Sequence, residues 1–209
     1  SSCAAVVAGL VAANELNGKP LPQETLLKLA GDMEGHLDNA APALLGGCQI
    51  VVRDGERVIT SRVPLPAGLK AVLFIPNFPI STQEARRVLP EAVSRSDAVF
   101  NLGRAALLVN ALATGHLENL NIATRDRLHQ THRKVLFPQM DDLLQAAVQG
   151  GALGAFLSGS GSTILALAQG NEAPIGEAMA QTAQRVGVTG EVMVCPISQY
   201  GAHVVSSNE

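Results

Sequence analysis

The stretch Gln49-Ile50-Val51-Val52-Arg53-Asp54-Gly55-Glu56-Arg57-Val58-Ile59 carries the clearest structural signal in the chain. Two runs rich in β-branched residues flank an Asp-Gly pair. Such a pair accepts the positive φ values of a tight turn, so the runs predict an antiparallel hairpin. Upstream, residues 36–47 begin polar, turn apolar and end in Gly46-Gly47. Before them, Pro22 to Glu34 predicts a helix with Leu26, Leu27, Leu29 and Met33 on one side and Gly35 as its stop. Residues 2–16 predict a buried helix of small side chains, capped by Ser1 or Ser2 and ended at Gly18-Lys19-Pro20. No basic region precedes that helix, so it does not read as a signal peptide. It also falls short of the roughly 20 apolar residues of a membrane span. The chain reads as though it begins within a structural element.

Downstream of the hairpin, Pro64, Pro66 and Gly68 mark a domain junction, which divides the chain into residues 1–65 and 66–209. Strands are expected at 69–75, 152–157, 163–168 and 191–196. Helices are expected at 82–89, 94–114, 138–148 and 172–186. Residues 122–136 give a mixed signal, and those after Tyr200 read as a frayed tail. Helices and short strands mix without strict alternation. This predicts an α+β fold with helices on one face of a largely antiparallel sheet.

The 209 residues are 47% apolar and 16% charged, enough for a sizeable core. Aromatics make up 3%, with no Trp, so the core is aliphatic and a base-stacking surface is excluded. A net charge of −3 without a basic stripe excludes duplex nucleic acid and an anionic membrane surface as partners. Cys3, Cys48 and Cys195 are far apart, odd in number and lack zinc spacing. They read as buried thiols of a reducing compartment, and a cytoplasmic location is expected.

Several residues could carry chemistry. A helix start at Ser1-Ser2 offers unpaired N–H groups that suit phosphate, and a hydroxyl there can ligate Mg²⁺; the same Ser could be a plain cap. Glu34-Gly35-His36-Leu37-Asp38-Asn39 packs two carboxylates, an imidazole and an amide into six positions. One carboxylate could hold Mg²⁺ and the other could take a proton, or the segment could simply be an Asx turn closing a helix. Arg86 and Arg133 could together hold a carboxylate, or each could be solvated helix charge. His129 and His132 lack a third ligand at metal spacing and read as surface or substrate-side histidines. Gly159-Ser160-Gly161 allows close backbone approach, although a turn alone would also use it.

Taken together, these segments resemble the GHMP kinases, and within them the homoserine kinase branch. Ser1-Ser2-Cys3-Ala4-Ala5 looks like the end of the family's Gly-Leu-Gly-Ser-Ser-Ala-Ala phosphate loop, with Cys3 where Ala is usual. Residues 34–42 are similar to Glu-Gly-His-x-Asp-Asn-x-Ala-Pro, and residues 81–90 to Ser-Thr-x-Glu-Ala-Arg-x-x-Leu-Pro. Residues 158–163 resemble the third motif, Ser-Gly-Ser-Gly-Pro-Thr, with Ser162 where Pro is common.

The resemblance implies the GHMP fold: a truncated N-terminal domain followed by a ferredoxin-like α/β sandwich. It implies ATP at Ser1, Ser2, Cys3 and Ala4, and Mg²⁺ on Ser2 and Glu34. It implies L-homoserine among His36, Asn39, Thr82, Arg86 and Arg133, with both Arg on its carboxylate. Asp38 stands where other members carry a base, and Gly159, Ser160 and Gly161 form the third-motif loop. The implied reaction moves the γ-phosphoryl group of ATP to the homoserine hydroxyl, a step toward threonine. A homodimer is allowed. Because the Gly-Leu-Gly half is missing, the 209-residue chain alone is expected to be inactive. Rival readings are a GHMP kinase for another alcohol and a non-catalytic binding or oligomerisation module. An acceptor panel tests the first, and magnesium-dependent nucleotide binding the second.

Overall fold

The Asp54-Gly55 turn closes the expected hairpin. Strand β1 (Cys48–Asp54) pairs antiparallel with β2 (Arg57–Val63), in a register running from Asp54 opposite Arg57 to Cys48 opposite Val63. The computed structural model describes residues 2–205, so Ser1 lies outside the described residues. Helices α1 (Ser2–Leu16), α2 (Gln23–Glu34) and α3 (Ala40–Leu45) accompany the hairpin. Their core comprises Cys3, Val7, Leu26, Leu27, Ala30, Leu37, Ala40, Ala41 and Leu44.

Three expectations are corrected in this unit. Helix α1 is not buried all round: only Cys3 and Val7 are, on the edge that meets α2 and α3. The inner face of α2 runs through Leu26, Leu27, Ala30 and Gly31, while Met33 is 65% exposed. Helix α3 forms where the sequence offered no helical period. It has only six residues, and its Pro42 is tolerated because the first turn needs no N–H from it. Gly35 does end α2, in the left-handed conformation at φ 76°, with its N–H donating to the Gly31 carbonyl.

The segment from Ser198 belongs to this same unit, which comprises residues 1–65 and 198–209. The expected second domain therefore stops short of residue 209, and the tail beyond Tyr200 is anchored as far as Ala202. Gly47 N–H donates to the Ser198 carbonyl at 2.9 Å, and Ala202 N–H to the Ala43 carbonyl at 2.8 Å. Arg62 donates to the Gln199 carbonyl and side chain, both at 2.8 Å. A Cβ on Gly201 would lie 2.1 Å from the Leu44 carbonyl oxygen. Gly201→Ala is therefore expected to destabilise this chain by about 1–3 kcal/mol, the usual cost of overpacking. Gly9→Ala, where nothing lies within 4 Å, should stabilise it by about 0.5–1 kcal/mol. Denaturant midpoints of the two variants, moving in opposite directions, check both.

The second unit, Pro66–Ile197, is built on a four-stranded antiparallel sheet. Strands β3 (Lys70–Pro76), β4 (Gly154–Leu157), β5 (Ile164–Ala168) and β6 (Gly190–Pro196) stand in the order β4-β5-β3-β6. Helix α8 (Met140–Gln149) precedes β4, and α9 (Glu172–Arg185) joins β5 to β6. The run β3-α8-β4-β5-α9-β6 in that strand order is the split βαβ arrangement of ferredoxin-like sandwiches. Val72 and Phe74 of β3 and Ile164, Ala166 and Ala168 of β5 pack on Met140, Leu143, Ile175 and Met179 of the two helices. Between β3 and α8 lie α4 (Thr82–Arg87), α5 (Arg95–Thr114) and two short turns, α6 (Leu120–Ala123) and α7 (Gln130–Arg133). These turns resolve the mixed signal of 122–136: each is too short to show a period. Among the described residues no helix is long and apolar enough to cross a membrane.

Candidate functional site

In the first unit, the start of α1 and the end of α2 carry the polar groups. Ser2 lies inside the first turn of α1, and its Oγ donates to Glu34 Oε2 at 2.9 Å. The hydroxyl thus reaches a carboxylate 32 residues away and does not cap its own helix. Two hard oxygens side by side at a helix N-terminus fit a magnesium ion, which takes few protein ligands and leaves the rest to water and phosphate. Cys3 reports on the same charge cluster. Its burial, reinforced by the nearby Glu34 and Asp38 carboxylates, pushes the thiol pKa up. A thiol held neutral in this way is a core group, not a nucleophile. Cys48 is likewise raised by burial, and all three cysteines are free.

The turn after α2 brings His36 and Asp38 together. His36 Nδ1 lies 2.8 Å from Asp38 Oδ1, an ion-pair distance, but the approach is oblique and makes no hydrogen bond. Asp38 is 77% exposed, and its Oδ1 also accepts from the Asn39 N–H. Buried Leu37 between them fixes the turn, packing against Gly31, where a Cβ would lie 2.3 Å from Leu37 Cδ2. Asp38 and Asn39 are both exposed on this turn, and the charges of Asp38 and Glu34 both act on Cys3. Ala4 is exposed on the same first turn.

In the second unit, α4, α7 and the loop 158–162 converge. Ser81 caps α4 through a complete capping box with Glu84, which sets Thr82 and Arg86 on a short, well-defined turn. Arg133, on α7, joins the three segments. Its Nε donates to the Ala85 carbonyl at 3.3 Å and its Nη1 to the Gly159 carbonyl at 2.8 Å. Burial lowers the Arg133 pKa, Asp126 opposes the shift and the neighbouring Arg86 charge adds to it. The Arg86 charge is therefore felt at Arg133.

The loop itself is held from both sides. Ser158 N–H donates to the Thr163 carbonyl, and Gly161 N–H to the Ser158 carbonyl. Ser162, where Pro is common in the resembled motif, is buried and ties the loop by donating its hydroxyl to the Phe78 carbonyl. Gly161 has φ 90° and a Cβ there would meet Leu157 at 2.9 Å, so only glycine fits.

One residue that sequence reasoning missed is Asp126. Its Oδ1 accepts from Asn101 Nδ2 at 2.6 Å and from the Leu128 N–H at 3.0 Å, and its Oδ2 from the N–H groups of His129 and Gln130 at 2.7 and 2.5 Å. Burial alone would raise its pKa; the bonds from Asn101, Gln130, His129 and Leu128 outweigh that and hold it at about 2. A depressed folded-state pKa stabilises the protein above the unfolded value of 3.8, and that contribution is lost as pH falls toward about 2. Asp126→Asn should cost about 2 kcal/mol at pH 7. The gap between wild type and variant should close between about pH 4 and pH 2, which denaturation at stepped pH would read.

Residues 1–47 match a family model described as the GHMP kinases N-terminal domain, and residues 107–185 one described as GHMP kinases C terminal. The chain is 48% identical over 203 residues to a homoserine kinase of Microchaete diplosiphon, covering 97% of this chain and 66% of that one. It is 44% identical over 205 residues to a homoserine kinase of Moorella thermoacetica, covering 98% and 69%. A crystal structure of homoserine kinase from Cytophaga hutchinsonii matches with a TM-score of 0.88 at 32% identity, covering 96% of this chain and 66% of that one. A galactokinase from Lactococcus lactis, at a TM-score of 0.58 and 17% identity, covers 93% of this chain and 64% of that one and shares the fold alone. The chain spans about two thirds of the length of the curated relatives it matches.

Proposed function

The chain belongs to the homoserine kinases of the GHMP family, and on that premise we propose that the enzyme containing it phosphorylates the side-chain hydroxyl of L-homoserine from ATP. The observation that carries the chemical reading is the 2.9 Å contact between Ser2 and Glu34. It sets a hydroxyl and a carboxylate together where a helix N-terminus already favours phosphate. Magnesium bound there would neutralise charge on the phosphates and hold them in line. Ser2, Glu34 and the backbone around Cys3 and Ala4 are the residues of this chain that would hold the ion and the phosphates. The corresponding assignment to Ser1 lies outside the described residues.

Asp38 is proposed to accept the proton of the acceptor hydroxyl. Its carboxylate is exposed, and its Oδ1 is held by the Asn39 N–H. Asn39 offers both a donor and an acceptor to the polar end of the substrate. In the second unit, Arg86 and Arg133 suit the α-carboxylate, with Thr82 as a further donor. Two of Arg133's donors are spent on main-chain carbonyls, which fixes the plane of the guanidinium and leaves Nη2 without a partner among the described residues. Such positioning and charge neutralisation account for most of the catalysis expected of phosphoryl transfer. The proposed setting is the cytoplasm.

The test is an acceptor panel on the full-length enzyme with magnesium and ATP. L-homoserine should be preferred over galactose by at least about 10²-fold in kcat/KM, since galactose lacks the carboxylate the arginines would read. Equal turnover of another alcohol would overturn the substrate assignment. Absence of any magnesium-dependent ADP release would overturn the kinase reading itself.

A further inference from the structure

We infer that Asp126 is a positioning residue for substrate binding: its carboxylate sets the α7 turn so that Arg133 faces the acceptor carboxylate. The inference rests on the proposed role of Arg133 and goes beyond it. Three observations carry it. First, the Asp126 side chain is only 15% exposed and accepts from Asn101 Nδ2 and from the consecutive N–H groups of Leu128, His129 and Gln130, with His129 Nδ1 a longer fifth contact at 3.4 Å. A carboxylate so occupied has no capacity left for a ligand; it dictates where the turn begins. Second, the turn is anchored from both flanks. Asn101 on α5 donates to Asp126 and accepts from the Arg127 N–H at 2.9 Å, while Gln130 Oε1 accepts from the Leu157 N–H at 2.8 Å. Leu157 leads directly into the loop that holds Gly159. Third, Arg133 sits one turn beyond Gln130 and contacts only main-chain carbonyls of α4 and that loop. Among the described residues no side chain makes a hydrogen bond that orients its guanidinium, so its aim depends on where α7 lies.

The chain of dependence runs from Asp126 to the α7 turn, then to Arg133, then to the substrate carboxylate. Loss of the Asp126 charge should therefore weaken recognition of that carboxylate and leave the phosphoryl-transfer groups of the first unit untouched. The test compares L-homoserine with 3-aminopropan-1-ol, the same acceptor without its carboxylate, in the full-length enzyme. Asp126→Asn should lower kcat/KM for homoserine by at least 10-fold, mostly through KM, and change that for 3-aminopropan-1-ol less than 2-fold. In an Arg133→Ala background, Asp126→Asn should add less than 2-fold for homoserine, because the group it aims is already gone.

An equal fall with both acceptors, or no fall with either, would overturn the inference in favour of a purely structural role. So would independent, multiplicative losses in the double variant. If Arg133→Ala itself fails to discriminate the two acceptors, the carboxylate assignment fails, and the role of Asp126 fails with it for a separately identifiable reason.

Discussion

Glu34→Gln in the full-length enzyme is expected to lower kcat by about 10²–10³-fold, the scale of removing several kcal/mol of charge stabilisation from a phosphoryl-transfer step. The substitution keeps the shape and the capacity to accept from Ser2, but it removes the negative charge an ion requires. Glu34 is half-buried at a helix end and among the described residues makes one side-chain hydrogen bond, to Ser2, so folding should be little affected. A second readout does not depend on activity. Glu34 is one of the charges raising the Cys3 pKa, so the variant's thiol should titrate lower than wild type in a pH series of alkylation rates. A variant with a lowered Cys3 pKa and undiminished kcat would dismiss Glu34 from the chemistry while confirming its position.

The second large effect concerns Arg133. Arg133→Ala should reduce kcat/KM for homoserine by about 10²–10³-fold, since truncating one partner of a desolvated charge pair costs about 2–5 kcal/mol. Most of the loss should appear in KM. Arg133→Lys should recover little of it, because an ammonium cannot span the Ala85 and Gly159 carbonyls and still present a planar fork to a carboxylate. Arg86→Ala should fall in the same direction by a smaller factor, as Arg86 is exposed and its side chain makes no hydrogen bond among the described residues. If KM for homoserine is unmoved by Arg133→Ala, the anion-binding role of the second unit is wrong.

The hairpin at Asp54-Gly55, the helix stop at Gly35, the long helix ending at Gly115 and the four strands of the second sheet were all legible in the sequence, because each is signalled by local turn chemistry or by a run of β-branched residues. The chemical residues around Glu34 and Arg133 were legible as motifs. The pairing of Ser2 with Glu34 came from the family resemblance alone, since local rules assign the Ser2 hydroxyl to capping. Helix α3 escaped because six residues are fewer than two turns and carry no period. The α2 face was misjudged because Leu29 and Met33 are as apolar as Leu26 and Leu27, and only tertiary packing chose between the two stripes. Asp126 was passed over for another reason: an Asp before a short turn is ordinary in sequence, and its donors are visible only once the backbone has folded around it.

The docking of Ser198–Ala202 against Gly47 and Ala43 has a consequence for the order of assembly. The first unit cannot complete itself without closing a loop of roughly 130 residues, and if those residues were disordered the closure would cost about 4 kcal/mol of entropy. The sheet of the second unit removes that penalty, because Lys70 pairs with Pro196 and so brings the two ends of the insert side by side. Maturation should therefore be hierarchical, with the ferredoxin-like sandwich forming first and acting as its own splint. Grafting a short turn in place of residues 66–197 should leave the remaining segments able to fold by themselves.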